Sequence, residues 1–309
     1  MYAIWNLTDV CPWNCAFCCM SAKNLNANSL RDKLDIRKKI KILKILAANG
    51  VKIDFSGGDP LFRHEDFTVV EEATKILPKE KIDVSMTGYE FNKKKLHLLK
   101  KVGKVEISID NVPGEVNPFR PKEFNFSAIS TLETIAKEGI FCSAVTTLYP
   151  HTANKESLKK LFELLCEKMI PKWNILRFYP VGRGVKLSNL NLAEKELIEI
   201  MDFLDLLNGS TEIALQHSLR ILRGEYQCHA AVKSIGILPD GTISACGWGL
   251  DENSRPLPCF ELGKLPKDSL DNTLKKAREK MGYEERMGYC RIMKYLKEKE
   301  IYESERNTM

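Results

Sequence analysis

Two kinds of apolar segment alternate through residues 1–208. Short runs rich in β-branched and aromatic residues predict buried strands, and longer runs with apolar residues three and four positions apart predict amphipathic helices. This alternation predicts an α/β fold, a partial (β/α)6 TIM-like barrel that is open on one side. The predicted strands are 2–8, 51–55, 82–86, 104–109, 140–148 and 173–178, and the predicted helices are 36–48, 65–76, 93–101, 126–137, 154–168 and 194–207.

After residue 208 the predicted segments become shorter. Strands are expected at 211–215, 235–238 and 242–245, with the turn Pro239-Asp240-Gly241 joining the last two into a β-hairpin. A charged helix is expected at 271–280. The pattern therefore divides the chain into a barrel (1–208), a small α+β domain (209–293) and a tail that is a charged helix or a frayed end (294–309).

Composition and charge restrict the function classes. Of 309 residues 44% are hydrophobic and 28% are charged, as in soluble proteins, and the net charge of +6 comes from scattered lysines. This charge permits an acidic substrate or a peptide but does not indicate nucleic-acid binding. Because we find neither an apolar run of membrane-spanning length nor an N-terminal targeting pattern, we expect a cytoplasmic protein without a membrane partner.

The 10 cysteines are the chemically informative residues, because cytoplasmic proteins rarely form disulfides. Cys11, Cys15 and Cys18 follow the first predicted strand, at the end of the barrel where active sites lie. Three thiolates on one loop can hold zinc or an iron–sulfur cluster. Zinc needs a fourth ligand nearby, whereas a four-iron cluster held by three cysteines keeps one iron open. Cys19 is expected to be a bystander, since adjacent side chains diverge.

A glycine turn follows the second predicted strand. It reads Ser56-Gly57-Gly58-Asp59-Pro60, and its two glycines allow the backbone to approach a ligand closely. Taken alone, such a turn is ordinary.

Together, these two motifs resemble those of radical S-adenosylmethionine (radical SAM) enzymes. With Phe17 before the third cysteine, the loop resembles the cluster loop of that family, and the glycine turn resembles its Gly-Gly-Glu-Pro motif with Asp59 in place of Glu. The resemblance implies a [4Fe-4S] cluster with an open iron site, held by Cys11, Cys15 and Cys18, that binds S-adenosylmethionine. One electron, from a donor of the flavodoxin or ferredoxin type, then yields a 5'-deoxyadenosyl radical that abstracts a hydrogen atom from the substrate.

The resemblance also implies contacts to S-adenosylmethionine, although it assigns no further catalytic residue. The glycine turn would hold the methionine amino group, Ser108 and Asp110 would meet the ribose, and Arg177 or Arg183 would pair with the methionine carboxylate. Asp110 as a turn cap and either arginine in a surface ion pair are the alternatives. The candidate cofactor-binding residues are Phe17, Ser56, Gly57, Gly58, Asp59, Thr87, Ser108, Asp110 and Arg177.

The C-terminal cysteines resemble a second family feature. Cys228 and Cys246 bracket the predicted hairpin, as at the start of the SPASM and shorter Twitch domains, which bind auxiliary iron–sulfur clusters. Only Cys259 and Cys290 follow, enough for one cluster of the [4Fe-4S] type, so a Twitch-like domain is favoured. Cys290 is alternatively a packed thiol, or leaves an open iron for substrate, and zinc is the alternative metal.

Two substrate classes remain open. Relatives with such domains often modify peptides by crosslinking or epimerisation, and we favour this reaction, although a first strand at residue 2 predicts no preceding peptide-recognition domain. The alternative is a radical dehydrogenase of a small molecule, namely a sugar, an aminoglycoside or a nucleotide. A non-catalytic iron–sulfur or zinc protein is the third hypothesis.

Overall fold

The computed structural model describes residues 1–24, 34–283 and 287–307, and within these ranges ten strands form one sheet. The strands are β1 (Tyr2–Thr8), β2 (Lys52–Gly57), β3 (Ile82–Met86), β4 (Lys104–Ser108), β5 (Cys142–Leu148), β6 (Lys172–Arg177), β7 (Glu212–Leu215), β8 (Ser234–Ile237), β9 (Thr242–Ser244) and β10 (Glu261–Lys264). Their order is β10-β9-β8-β1-β2-β3-β4-β5-β6-β7. Neighbours from β8 to β7 run parallel, whereas β8, β9 and β10 pair antiparallel.

Nine helices lie in the described residues, and the first six connect the parallel strands β1 to β7, as the sequence predicts. They are α1 (Ile36–Ala48), α2 (His64–Ile76), α3 (Lys93–Leu99), α4 (Phe124–Lys137), α5 (Lys155–Glu167), α6 (Glu194–Asp205), α7 (His217–Leu222), α8 (Leu270–Met281) and α9 (Arg291–Asn307), with 3-10 turns at Lys79–Lys81 and Gly182–Leu190. The α/β class and the partial barrel are confirmed. The predicted barrel elements end within two residues of the observed ones. No helix of the described residues is long and apolar enough to cross a membrane.

The two faces of the barrel strands carry different residues. On β2, Ile53 and Phe55 are fully buried in the core between sheet and helices. Asp54 and Ser56, on the opposite face, line a cavity inside the barrel. Alternation of apolar and polar positions therefore builds both the hydrophobic core and a polar barrel lumen.

The C-terminal strands join the barrel sheet at both edges. The hairpin around Pro239-Asp240-Gly241 is confirmed as β8 and β9, and β8 pairs in parallel with β1. The sequence pattern groups 211–215 with this hairpin, and that grouping is wrong, because β7 pairs with β6. Periodicity identifies a strand but not its partner, and the open edge of β6 supplies the hydrogen bonds. Since one sheet runs through both predicted domains, the boundary at residue 208 stays a prediction.

Candidate active site

The cysteine loop leaves the C-terminal end of β1 and folds back on itself. Cys11 and Cys15 are buried and Cys18 is half-buried. The Cys11 N–H donates to the Lys23 carbonyl at 2.9 Å, and the Ser21 N–H donates to the Cys18 carbonyl at 3.0 Å. The loop thereby turns all three cysteines toward one cavity.

Arg183 fixes this loop from the far side of the barrel. Its guanidinium donates to the Cys15 carbonyl through Nε at 3.0 Å and Nη2 at 2.7 Å, and also to the Ala22 carbonyl through Nη1. Charged donors make strong hydrogen bonds to backbone carbonyls. Arg183 is thus a positioning residue for the cysteine loop, a role that neither sequence interpretation included.

Arg120 is a second arginine at the loop, and the sequence analysis missed it. Its Nη1 donates to Cys15 Sγ at 3.1 Å, and its Nε donates to the Asp110 carboxylate at 2.5 Å. The guanidinium carbon lies 4.5 Å from the centre of the Phe17 ring and 4.2 Å from that of Phe124. Burial raises the pKa of the Cys15 thiol, and Arg120 opposes that rise. Asp110 is engaged by Arg120 and has a fully buried side chain, away from the cavity lining.

The glycine turn packs directly against the strand that enters the cysteine loop. The Gly58 N–H donates to the Thr8 carbonyl at 2.7 Å, and the Asp59 N–H donates to the Val10 carbonyl at 2.9 Å. A Cβ on Gly58 would lie 2.0 Å from the Val10 carbonyl oxygen, so a larger residue there would push the two segments apart. Gly57 has φ +120°, which also favours glycine.

Asp59 connects the glycine turn to the cysteine loop through Thr87. Its carboxylate accepts hydrogen bonds from the Thr87 hydroxyl at 2.5 Å and the Thr87 N–H at 3.1 Å. The Thr87 hydroxyl in turn accepts from the Trp13 indole N–H at 3.1 Å. Asp59 is 1% exposed, so in this structure it orients neighbouring groups and does not line the cavity.

The cavity that collects these elements encloses about 1220 Å³, open solvent at its mouth included. Cys11, Cys15 and Cys18 line it. So do seven of the nine predicted cofactor-binding residues, namely Phe17, Ser56, Gly57, Gly58, Thr87, Ser108 and Arg177. The lining also includes residues that were not predicted from the sequence, namely Asp54, Glu106, Arg120, Thr147, Gln216 and Trp248. Period-two alternation along β2, β4 and β5 was the signal that could have found Asp54, Glu106 and Thr147.

Arg177 ends β6 on the strand face that carries the core residues Trp173 and Ile175, and it lines both this cavity and a second one beside Glu194 of α6. It is 5% exposed, and its Nε has no hydrogen-bond partner among the described residues. A buried guanidinium with an unused donor fits a carboxylate or phosphate ligand. Arg177 therefore suits the predicted contact to a methionine carboxylate.

The arrangement of the N-terminal cysteines also bears on the kind of metal. Across 1–24, 34–283 and 287–307, no three His, Cys, Asp or Glu side chains are grouped to hold a metal ion. A four-iron cluster places each thiolate on a different iron, so its ligands stand farther apart than around one ion. Burial, with the Asp59 carboxylate, raises the pKa of the Cys11 thiol, and bound iron would reverse that shift. Three cysteines at one cavity wall match the number of ligands that a four-iron cluster with one open iron takes from the chain.

The C-terminal cysteines also come together. Burial first, and then the Cys290 thiolate, raise the pKa values of Cys228 and Cys246, and the pKa of Cys246 reaches about 12. Cys259 is exposed, and its carbonyl accepts a hydrogen bond from the Tyr283 hydroxyl at 2.6 Å. Burial first, and then the thiolates of Cys259, Cys246 and Cys228, raise the pKa of the Tyr283 hydroxyl. The fold thus places Cys228, Cys246 and Cys259, which are far apart in the chain, close to Tyr283.

Two residues lie between the groups of cysteines. Tyr179 lines the cavity, and its hydroxyl lies 3.6 Å from Cys290 Sγ. Cys19 also lines the cavity. Burial first, and then the nearby thiolates of Cys18 and Cys246, raise its pKa. The C-terminal segment reaches this position because Gly247 packs on Ile4, where an added Cβ would lie 3.0 Å from the Ile4 side chain.

Comparison with known proteins identifies the family. Residues 5–165, more than half of the chain, match the Radical SAM superfamily, and the chain belongs to it. This membership implies a [4Fe-4S] cluster and S-adenosylmethionine. The chain is 26% identical over 206 residues to the Fe-coproporphyrin III synthase of Methanosarcina barkeri, covering 65% of this chain and 50% of that protein. It is 26% identical over 208 residues to a GTP 3',8-cyclase of Clostridium perfringens, covering 63% and 60%.

Solved structures agree with this fold. Streptococcus suis SuiB bound to the precursor peptide SuiA superposes with a TM-score of 0.70 at 16% identity, over 90% of this chain and 66% of that one. The anSMEcpe protein with bound AdoMet superposes with a TM-score of 0.67 at 18% identity, over 92% and 82%. The chain spans 50% to 60% of the length of the curated relatives named above.

Proposed function

We propose that the protein is a radical SAM enzyme that abstracts a hydrogen atom from a peptide substrate. The observation that carries the proposal is that the cysteine loop and the glycine turn line one cavity, which Arg177 also borders. When bound, the cluster and S-adenosylmethionine supply a 5'-deoxyadenosyl radical, after one electron arrives from a donor of the flavodoxin or ferredoxin type.

The chain's own residues bind and orient these groups. Cys11, Cys15 and Cys18 provide three thiolate ligands, and Arg120 donates an N–H to one of those sulfurs. Arg177 binds the methionine carboxylate. Backbone groups of Gly57 and Gly58 meet the methionine amino group, at a turn that Asp59 holds through Thr87.

The other predicted contacts complete this binding site. Ser108 and Thr147 lie at the ends of β4 and β5 on the cavity wall, where hydroxyl groups can bind a ribose. Asp110 supports that wall indirectly, because it pairs with Arg120. Phe17 packs edge-on against Phe178 and provides an apolar surface that excludes water.

A second part of the proposal is an auxiliary [4Fe-4S] cluster held by Cys228, Cys246, Cys259 and Cys290. Its support is that Cys228, Cys246 and Cys259 all interact electrostatically with Tyr283, and that Cys290 interacts with Cys228 and Cys246, although the chain separates them widely. Tyr179 would lie between this cluster and the cavity. We assign the C-terminal part to a Twitch-like domain, in which the cluster accepts an electron or binds substrate.

A peptide is the favoured substrate, with crosslinking or epimerisation as the outcome. The structural neighbour SuiB is bound to a precursor peptide, and anSMEcpe has been solved with AdoMet and a Cp18Cys peptide. A small molecule is the competing substrate, and the curated GTP 3',8-cyclases support it.

The central experiment is anaerobic reconstitution with iron and sulfide. Dithionite plus S-adenosylmethionine should yield 5'-deoxyadenosine, and the electron paramagnetic resonance signal of the reduced cluster should shift when S-adenosylmethionine is added. The matched control is Cys166→Ser, a half-buried cysteine on α5 outside the cavity. Zinc without iron in the purified protein, or a cluster signal that S-adenosylmethionine does not change, would refute the proposal.

A second experiment separates the substrate classes. The reconstituted enzyme is incubated with peptides encoded beside its gene and, separately, with nucleotides or aminoglycosides. A mass change in a peptide supports peptide modification. Turnover of a free nucleotide or aminoglycoside, with no change in any peptide, would overturn it.

A further inference from the structure

The cavity continues below the glycine turn into the barrel lumen, where its lining becomes acidic. Asp54 on β2, Ser85 on β3 and Glu106 on β4 line this deeper part, which we call the cavity floor. Ser85 and Glu106 are paired in register, and their strands neighbour β2. Asp54 is 5% exposed, so the cavity is its route to any ligand.

The two carboxylates of the floor receive different kinds of donor. The Ser85 hydroxyl lies 2.8 Å from Asp54 Oδ1 and 3.2 Å from Glu106 Oε2. A hydroxyl carries one hydrogen and can donate to only one of these oxygens. Glu106 also accepts hydrogen bonds from Lys104 Nζ at 3.0 Å and from Asn174 Nδ2 at 2.6 Å. Asp54 is reached by the neutral hydroxyls of Ser85 and Tyr2, and it is the floor carboxylate without a cationic donor among the described residues.

Charge counting gives the same result. Lys52 pairs with Asp83 at 2.9 Å, and Lys104 pairs with Glu106 at 3.0 Å and with Asp83 at 3.7 Å. Two lysines are therefore available to neutralise three carboxylates, those of Asp54, Asp83 and Glu106. Asp54 has no lysine or arginine within ion-pair distance in the described part of the chain.

The titration of Asp54 agrees with this geometry. Burial first, and then the Glu106 carboxylate, raise the pKa of Asp54 to about 7, although Ser85 and Lys104 oppose the rise. The groups that face it are Tyr2 from β1, Asp83 from β3, and Lys104 and Glu106 from β4. A cation bound beside Asp54 would oppose this rise, because it favours the ionised carboxylate.

We propose that this floor binds a cationic group of the substrate, an ammonium or a guanidinium, and so selects peptides that present a lysine or arginine side chain or a free amino terminus. The inference rests on the proposed function, because it assumes S-adenosylmethionine at the cavity mouth. Asp54 lies two residues below Ser56 on β2, which is about 7 Å along a strand. A cation at the floor would hold its adjoining carbon atoms between the floor and the cofactor, where hydrogen is abstracted. An anionic group such as a triphosphate would be repelled there.

The test uses the reconstituted holoenzyme with S-adenosylmethionine and three small probes. Butylguanidinium carries the charge, butylurea is its neutral isostere, and butyrate is an anion. Anaerobic calorimetry should show butylguanidinium binding to the wild-type protein at least about tenfold more tightly than butylurea, the effect of one charge-assisted hydrogen bond. Butyrate should not bind. Equal affinities for the guanidinium and the urea would overturn the inference.

Variants locate the binding. Asp54→Asn and Glu106→Gln keep the side-chain shape, and each should weaken butylguanidinium binding about tenfold or more. Glu212→Gln on β7, an exposed carboxylate outside the cavity, is the matched control and should keep wild-type affinity. Undiminished binding in both floor variants would assign the cation to another site and refute the proposal.

The same samples separate this inference from the proposed function. If the wild-type holoenzyme does not cleave S-adenosylmethionine, the proposed function fails. If it cleaves S-adenosylmethionine but does not distinguish butylguanidinium from butylurea, only the inference about the floor fails. Circular dichroism checks that the variants fold, and the wild-type comparison of isosteres decides the question if they do not.

Discussion

The two groups of cysteines are assembled in different ways. Cys11, Cys15 and Cys18 lie on one short loop, so their proximity is fixed locally by the chain. Cys228 and Cys290 stand at the ends of a long segment, and only tertiary contacts bring them together. The N-terminal loop is also held from outside, by three hydrogen bonds from Arg183.

This difference teaches which group depends on the rest of the fold. A local loop needs remote residues to set its orientation, and here arginines from beyond β4 and β6 do so. The C-terminal group of cysteines forms only when the chain folds. Its exposed member, Cys259, has fewer restraints. We therefore expect mutations to separate the two groups by their iron content and by their stability.

The largest effect is expected from the cysteines themselves. Cys11→Ser, Cys15→Ser or Cys18→Ser should abolish 5'-deoxyadenosine formation and remove about four iron atoms per chain, the content of one cluster. Cys246→Ser should also remove about four iron atoms, but the cluster signal that shifts with S-adenosylmethionine should persist. Iron analysis and electron paramagnetic resonance check this result. Equal loss of that signal in both sets would contradict separate clusters.

Arg183→Ala should destabilise the cysteine loop. It removes donors to the carbonyls of Cys15 and Ala22, and hydrogen bonds to charged groups are worth about 1.5–3 kcal/mol each. We expect the free energy of unfolding to fall by about 3 kcal/mol. Urea titration measures the change, and Arg183→Lys should restore part of it.

The matched control for Arg183 is Arg255→Ala, in the C-terminal part. Arg255 is exposed and pairs with Asp251 at 2.9 Å, so its loss should cost less than about 1 kcal/mol. Similar losses at the two sites would contradict a special role for Arg183.

Arg177→Gln should weaken S-adenosylmethionine binding about thirtyfold, because one charge-assisted contact to the methionine carboxylate is lost. Equilibrium dialysis of the reconstituted protein measures the dissociation constant. Arg223→Gln serves as the control, since Arg223 pairs with Asp202 and Asp205 on α6, outside the cavity. Unchanged affinity in Arg177→Gln would remove Arg177 from the binding site.

Tyr179→Phe should give the smallest change in stability, and it tests a contact with the C-terminal group of cysteines. It removes one hydroxyl 3.6 Å from Cys290 Sγ, worth about 1 kcal/mol of unfolding free energy. Tyr289→Phe, at an exposed tyrosine, should change stability by less. If the two variants unfold alike in urea, the Tyr179 hydroxyl makes no useful contact with the C-terminal cysteines.

Much of the fold could be predicted from the sequence, because apolar periodicity is a local property. The six barrel strands and their helices follow from it, and in the structure the side chains of Asn92 and Asn154 cap two of these helices. The partner of 211–215 could not be predicted, since any open strand edge can accept a short strand. The same limit applies to β8, whose pairing with β1 brings Trp248 into the cavity.

The candidate site divides in the same way. Spacing alone identifies Cys11, Cys15 and Cys18. The glycine turn can be recognised because it directly follows the second predicted strand. Arg120 and Arg183 carry no local pattern, since an arginine in a loop is ordinary until the fold directs it. Asp110 shows the opposite case, because a position at a strand end suggests a ligand contact while the structure pairs it with Arg120.

The sequence by itself determined the local features of this protein: strand and helix positions, three cysteines on one loop, and a turn that needs glycine. Only the tertiary structure decided which distant residues meet there, including Arg183 at the loop, Tyr179 at Cys290, and Asp54 beside Glu106 at the cavity floor. The physical reason is that periodicity and turn chemistry act over a few residues. Contacts between remote side chains depend on strand order and register, which the pairing of the whole sheet sets.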